Sequence, residues 1–200
     1  MRFKKYSPFP VQIYKFRDAA NSVFKKHYKN NRTEILNRSE HNFLWKSDCL
    51  STKDKDNTDL LPWEDIFKMV SSKVIGMLKD QDSPDCNITI TDYWINIAQL
   101  GGFQEVHQHS GDGTNLVVVY FLKFPKGSGD LYILNPEFAF YGSTDLNLIY
   151  NKNILSPFMK LNAKEGDVIL FPANLNHFTG PQKIDKDRVT LSFNIKLSLR

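Results

Sequence analysis

The segment "RVTLSFNIKLSL", residues 188–199, alternates with a period of two along most of its length. Arg188, Thr190, Ser192 and Asn194 fall on one side, and Val189, Leu191, Phe193 and Ile195 on the other. That period defines a β-strand, because successive side chains of a strand leave opposite faces. The apolar side needs a covering layer, while an arginine with two hydroxyls and an amide needs water or a polar ligand. A fold for this chain therefore contains a sheet packed on helices by one face and lining a wet cavity with the other.

Other strands follow from the same reasoning. "NITITDYWINIAQL" alternates, and "TNLVVVYFLKF" carries a buried apolar run. "GDLYILNP" follows a turn at "KGSG", and "DVILFPA" starts from a turn at Gly166–Asp167. Before about residue 85 the spacing is helical. "DAANSVFKKHYKN" places Ala20, Val23, Phe24 and His27 near one stripe behind a cap candidate at Asp18. "PWEDIFKMVSSKVIGMLKD" opens on Pro62 and carries Ile66, Met69, Val70, Val74, Met77 and Leu78. The polar, breaker-rich "SDCLSTKDKDNTDLLP" between them reads as a loop.

These elements predict one domain over 1–200, with helical and loop support in 1–85 and a β core in 86–200. A mainly β sandwich or barrel flanked by N-terminal helices is the expected architecture. An apolar content of 41% over 200 residues is enough for a core. The net charge of +4 comes from scattered lysines, so no basic stripe marks a nucleic-acid surface. Cys49 and Cys86 match no redox or zinc spacing. The N-terminus lacks the apolar core of a secretory leader, and no run of about 18 apolar residues occurs. A cytoplasmic chain with reduced thiols and no membrane partner is expected.

The chemistry concentrates in "FQEVHQHSGDG", residues 103–113, where His107 and His109 stand one residue apart. At i and i+2 of a strand, both imidazoles reach one point in space. A third, His177, follows "DVILFPA", and Arg188 comes eleven residues later. Non-haem iron oxygenases need three protein ligands on one face of the metal, leaving positions for cosubstrate and dioxygen. Where the cosubstrate is 2-oxoglutarate, its distal carboxylate needs a fixed cation, which a planar guanidinium supplies bidentately. A hydroxyl two residues on, at Thr190, supports the same carboxylate. His27 and His41 carry no such neighbours and read as ordinary side chains. Asp112 and Asp130 sit beside glycines and read as turn residues.

The ordered string W-x-N, Q-x-x-H-x-H, G-x-L-x-x-x-x-P, F-P-x-x-L-x-H and R-x-T-x-S-F-N resembles the 2OG-Fe(II) oxygenase family found in marine bacteria and cyanophages. Trp94, Asn96, Gln104, His107, His109, Tyr120, Gly129, Leu131, Pro136, Phe171, Pro172, Leu175, His177, Arg188, Ser192, Phe193 and Asn194 carry it. The resemblance is densest over 93–195 and extends to "FPVQIYKF" near the start. It implies a double-stranded β-helix (jelly roll). It also implies Fe(II) held by His107, His109 and His177, and 2-oxoglutarate contacted by Arg188, Thr190, Gln104, Asn96, Tyr120 and Asn194. The implied reaction is hydroxylation of an unidentified substrate by dioxygen, with release of succinate and CO2. Two positions depart from the pattern: Thr190 replaces a serine, and "TN" at 114–115 replaces a Ser-Gly. At the i+2 position, where members of the wider superfamily commonly carry a carboxylate, this chain has His109. Either His109 is the third ligand, or it supports the site while Asp112 or water fills that place.

Two other classes stay open on the residues alone. Three histidines on β-structure also suit a zinc hydrolase or hydratase, which would leave Arg188 without a role. A non-catalytic jelly roll binding a sugar or anion would need no metal. A homodimer is allowed. The primary substrate, whether metabolite, peptide side chain or nucleobase, would be set by "HSGDGTN" and the lid candidate "PEFAFYGSTDLNLIYNKNILSPF".

Overall fold

The computed structural model describes residues 13–41, 49–111, 113–136 and 156–200. Among these residues, two antiparallel sheets face each other. The larger has seven strands in the order β1 (Tyr14–Arg17), β9 (Asp167–Pro172), β6 (Leu116–Lys123), β11 (Arg188–Leu199), β4 (Cys86–Ala98), β3 (Leu50–Ser51) and β2 (Glu40–His41). The smaller orders β5 (Gln104–His107), β10 (His177–Thr179), β7 (Leu131–Leu134) and β8 (Phe158–Lys160). Helices α1 (Asn21–Asn37) and α2 (Trp63–Asp80) cover the outer face of the larger sheet.

The two-faced strand 188–199 behaves as its alternation requires. Val189, Leu191, Phe193 and Ile195 join Phe24, Tyr28, Trp63, Ile66, Val70 and Val74 in the layer between sheet and helices. β6 is buried up to Leu122 because both its faces are covered. Leu116, Val118, Tyr120 and Leu122 meet the helices, while Val117, Val119 and Phe121 meet the smaller sheet. Between the sheets, an apolar cluster with Leu131, Ile133, Ile169 and Phe171 fills part of the space. The polar side of β11 borders the rest.

Several expectations need correction. The stripe of α1 is Phe24, Tyr28 and Ile35, while Val23 and His27 are exposed. Asp18 lies ahead of the helix; its carboxylate accepts the Ala20 amide, and Ala20 is the capping position. α2 buries Ile66, Val70, Val74 and Met77 as its spacing predicts, with Met69 and Leu78 partly buried. The loop at 47–62 contributes β3, and the chain before α1 contributes β1, so N-terminal residues extend both edges of the larger sheet. These strands are too short to show a period. His177, expected in an exit loop, lies on β10. At the β7–β10 approach, a Cβ on Gly129 would sit 2.0 Å from the Gly180 carbonyl oxygen, so only glycine fits. No described helix is long and apolar enough to cross a membrane.

Candidate metal centre

His107 ends β5 and is the register partner of His177 on β10, so strand pairing alone brings these two imidazoles together. Their ring centroids are 4.2 Å apart. His109 lies two residues beyond β5, where its backbone N–H donates to the Ala173 carbonyl at 2.9 Å. That bond turns the chain back towards β9 and places the third ring 5.2 Å from His107 and 5.1 Å from His177. One nitrogen from each ring lies within 4.8 Å of the other two.

Each imidazole has its tautomer set by an oxygen on Nδ1. His107 Nδ1 lies 2.7 Å from the Glu105 carbonyl, and His177 Nδ1 2.9 Å from the Leu175 carbonyl. His109 Nδ1 lies 2.7 Å from Asn194 Oδ1. An acceptor there fixes the proton on Nδ1 and leaves the lone pair on Nε2. Burial keeps the rings neutral: His107 is pushed down to about 4 and His177 to about 3, each mainly by desolvation and further by a neighbouring imidazole. His109 is lowered by desolvation too, against its bond to Asn194. Its Nε2 is buried with no hydrogen-bond partner among the described residues. Three neutral, oriented nitrogen donors form a set that a divalent transition metal fits.

Arg188 borders the same space. It is 3% exposed, its guanidinium lies 5.7 Å from the Phe121 ring and 5.9 Å from the Phe124 ring, and Nε has no hydrogen-bond partner among the described residues. It forms no ion pair among the described residues; the adjacent Asp187 faces away to Arg32, Tyr28 and Lys123. Desolvation lowers Arg188 to about 10, which still leaves it charged at neutral pH. A narrow inner chamber joins it to the histidines, with Gln104, Thr179, Thr190 and Ser192 as polar walls and Val119 and Leu131 as apolar ones. Beyond His107, His109 and Trp94, an outer cleft of about 480 Å³ opens past Lys53 and Asp92.

The predicted residues therefore separate. Gln104, Thr190 and Arg188 line the inner chamber. Asn96 stands behind its wall, donating to Ser192 Oγ at 3.0 Å. Asn194 holds His109 and faces the outer cleft. Tyr120 does not reach the chamber. Its position in β6 turns it towards the helices, where its hydroxyl bonds Asp18 at 2.6 Å and Asn21 at 2.7 Å. Trp94 stacks on His109 at 5.6 Å. Thr179 was missed, although it stands two residues from His177 on the same strand. Lys53 was missed for lack of any local pattern, and Asp92 although it stands two residues before Trp94 on alternating β4. Asp112 and most of the lid candidate, 137–155, lie outside the described residues.

The fold is that of non-haem oxygenases. The α-ketoglutarate-dependent carbocyclase SnoK from nogalamycin biosynthesis aligns with a TM-score of 0.62 at 12% identity, over 95% of this chain and 83% of its own. A Pseudomonas putida prolyl-4-hydroxylase gives 0.60 at 10%, over 96% and 94%. HygX from Streptomyces hygroscopicus, solved with nickel and 2-oxoglutarate, gives 0.58 at 11%, over 93% and 83%. The shared architecture is the jelly roll. No curated protein matches the sequence. The family described as "Putative 2OG-Fe(II) oxygenase" matches residues 92–194, more than half of the chain. The chain belongs to that family and is a 2-oxoglutarate-dependent oxygenase.

Proposed function

We propose that the chain hydroxylates a small or side-chain substrate, with Fe(II) held by His107, His109 and His177 and the distal carboxylate of 2-oxoglutarate received by Arg188 and Thr190. The observation that carries this reading is the Arg188 guanidinium, buried and without a carboxylate partner among the described residues, in the chamber of the three histidines. An unpaired buried charge costs several kcal/mol, a cost offset when a ligand supplies the anion. Three neutral imidazoles also leave the charge of a divalent metal uncompensated, which a dianionic cosubstrate answers. The bound ferrous ion supplies the redox chemistry: dioxygen takes two electrons from oxidative decarboxylation of 2-oxoglutarate, giving succinate and CO2, and two from the C–H bond that becomes C–OH. The protein's part is orientation and exclusion of water. Asn194, Glu105 and Leu175 hold the imidazoles by their Nδ1 protons, and Val119 and Leu131 dry the chamber.

A three-histidine set also suits zinc, but metal-activated water has no use for a buried guanidinium. Anaerobic titration of the protein with Fe(II) and 2-oxoglutarate separates the readings. The expected result is a weak visible charge-transfer band that needs both additions, followed by succinate release on admitting air. Tight zinc binding with neither band nor succinate would replace the oxygenase reading.

A further inference from the structure

The loop at 51–58 looked featureless in sequence, yet it is pinned to the sheet. Thr52 exchanges bonds with Ile95, its N–H reaching the Ile95 carbonyl at 3.0 Å and its hydroxyl accepting the Ile95 N–H at 3.0 Å. Asn57 ties the same loop to Thr52 and the Tyr93 carbonyl. Asp54, at φ 60°, makes the tight turn, a conformation that aspartate tolerates better than most residues. The turn carries Lys53 to the outer cleft, its ammonium 5.4 Å from the centre of the Trp94 ring. Lys53 makes no ion pair among the described residues.

Asp92 lines the same cleft from β4. One of its oxygens accepts the Tyr93 N–H at 2.8 Å, and no cation lies within ion-pair distance among the described residues. It is half-buried, and desolvation raises its pKa despite the attraction of Lys53. The two charges thus feel each other without touching. A cleft beside the metal centre that holds an ammonium and a carboxylate apart is complementary to a ligand with the opposite pair. A dianion such as a phosphate ester would be repelled by Asp92, and an uncharged substrate would leave both charges unanswered.

We infer that the primary substrate is a zwitterion, a free amino acid or a molecule presenting the same groups, with its carboxylate on Lys53 and its ammonium on Asp92. Trp94 stands beside Lys53 and stacks on His109, and His107 and His109 line the same cleft, so the substrate's side chain extends along it towards the histidines. This rests on the oxygenase reading, and the test keeps the two apart.

The protein with Fe(II) and 2-oxoglutarate is offered the twenty free L-amino acids, with each one's carboxamide and N-acetyl derivative, and binding and succinate release are measured. At least one free amino acid should bind and raise succinate release, and each blocked derivative should bind about ten- to a hundredfold more weakly. Matched variants turn this into a cycle. In Lys53→Gln the penalty for the carboxamide should vanish while that for N-acetylation stays. Asp92→Asn should show the reverse. Because each variant is compared with itself on two ligands, a general loss of fold does not mimic the pattern. Equal binding of free and N-acetylated forms would make the cleft a plain anion site and overturn the inference. So would 2-oxoglutarate binding and succinate release by the wild type with no response to any amino acid. Absence of 2-oxoglutarate binding would instead remove the oxygenase reading beneath it.

Discussion

At the residue scale, the proposed function gives Arg188 the anion and His109 the metal, and single substitutions separate them. A charge-assisted bond contributes about 1.5–3 kcal/mol. Arg188→Ala should raise the 2-oxoglutarate KM about ten- to a hundredfold, with Arg188→Lys in between because it keeps the charge and loses the planar fork. Metal content, read by elemental analysis, should hold in both. If Arg188→Ala binds 2-oxoglutarate like the wild type, the guanidinium serves packing alone. Asn194 acts on the other partner. Its amide oxygen fixes the His109 tautomer, so Asn194→Ala should weaken Fe(II) affinity about ten- to a hundredfold, as loss of a group orienting a metal ligand commonly does. His109→Ala should be at least as severe, whereas His109→Asp replaces the imidazole by a carboxylate and should retain part of the affinity. Unchanged iron binding in His109→Ala would show that His109 supports the site without ligating.

At the element scale, the value of an alternating strand as evidence depends on having two unlike faces. In β11 the faces differ, so Arg188, Thr190 and Ser192 are legible as cavity residues in the sequence itself. In β6 both faces are apolar, and nothing in "LVVVYFLK" says which side Tyr120 takes. Resemblance to a family motif placed it at the cosubstrate, and strand parity places it against α1. Tyr120→Phe tests this directly. Loss of a buried hydroxyl bonded to Asp18 and Asn21 should lower stability by about 1–3 kcal/mol in denaturant titration. Iron and 2-oxoglutarate affinities should not move; a selective fall in 2-oxoglutarate affinity would return Tyr120 to the site. The histidines were legible because two lie at i and i+2, though the pairing of His107 with His177 is a register fact that no local pattern carries. Lys53 was illegible for a related reason: a polar loop looks the same whether it hangs in solvent or is pinned by Thr52 and Asn57.

At the scale of the whole molecule, the metal centre is where the two sheets are joined. His107 and His177 belong to the smaller sheet, while His109 is held by Asn194 of the larger one and by the Ala173 carbonyl beyond β9. A metal on all three ties the sheets together and stabilises the folded state by mass action, by about 2.7 kcal/mol at roughly a hundred times its dissociation constant. For a chain of this size each kcal/mol raises Tm by about 2–4 °C, so saturating Fe(II) under anaerobic conditions should raise it by about 5–10 °C. The apoprotein should depend on pH through the same residues. Unfolded histidine titrates near 6.5, whereas folded His107 and His177 resist protonation to about 4 and 3. Above 6.5 both states are neutral and these groups contribute no pH dependence. As pH falls below that value, the unfolded chain takes up protons that the folded chain refuses. Stability is lost across the window down to the folded values and then levels off. Carboxylates titrate in the lower part of that window, so the comparison that isolates the imidazoles is the double substitution His107→Gln, His177→Gln. Its Tm should fall less steeply than the wild-type apoprotein's between about pH 6.5 and 4.5, and it should not respond to Fe(II). Equal slopes in the two proteins would mean that the folded imidazoles take up protons as readily as unfolded ones, contrary to neutral histidines held ready for a metal.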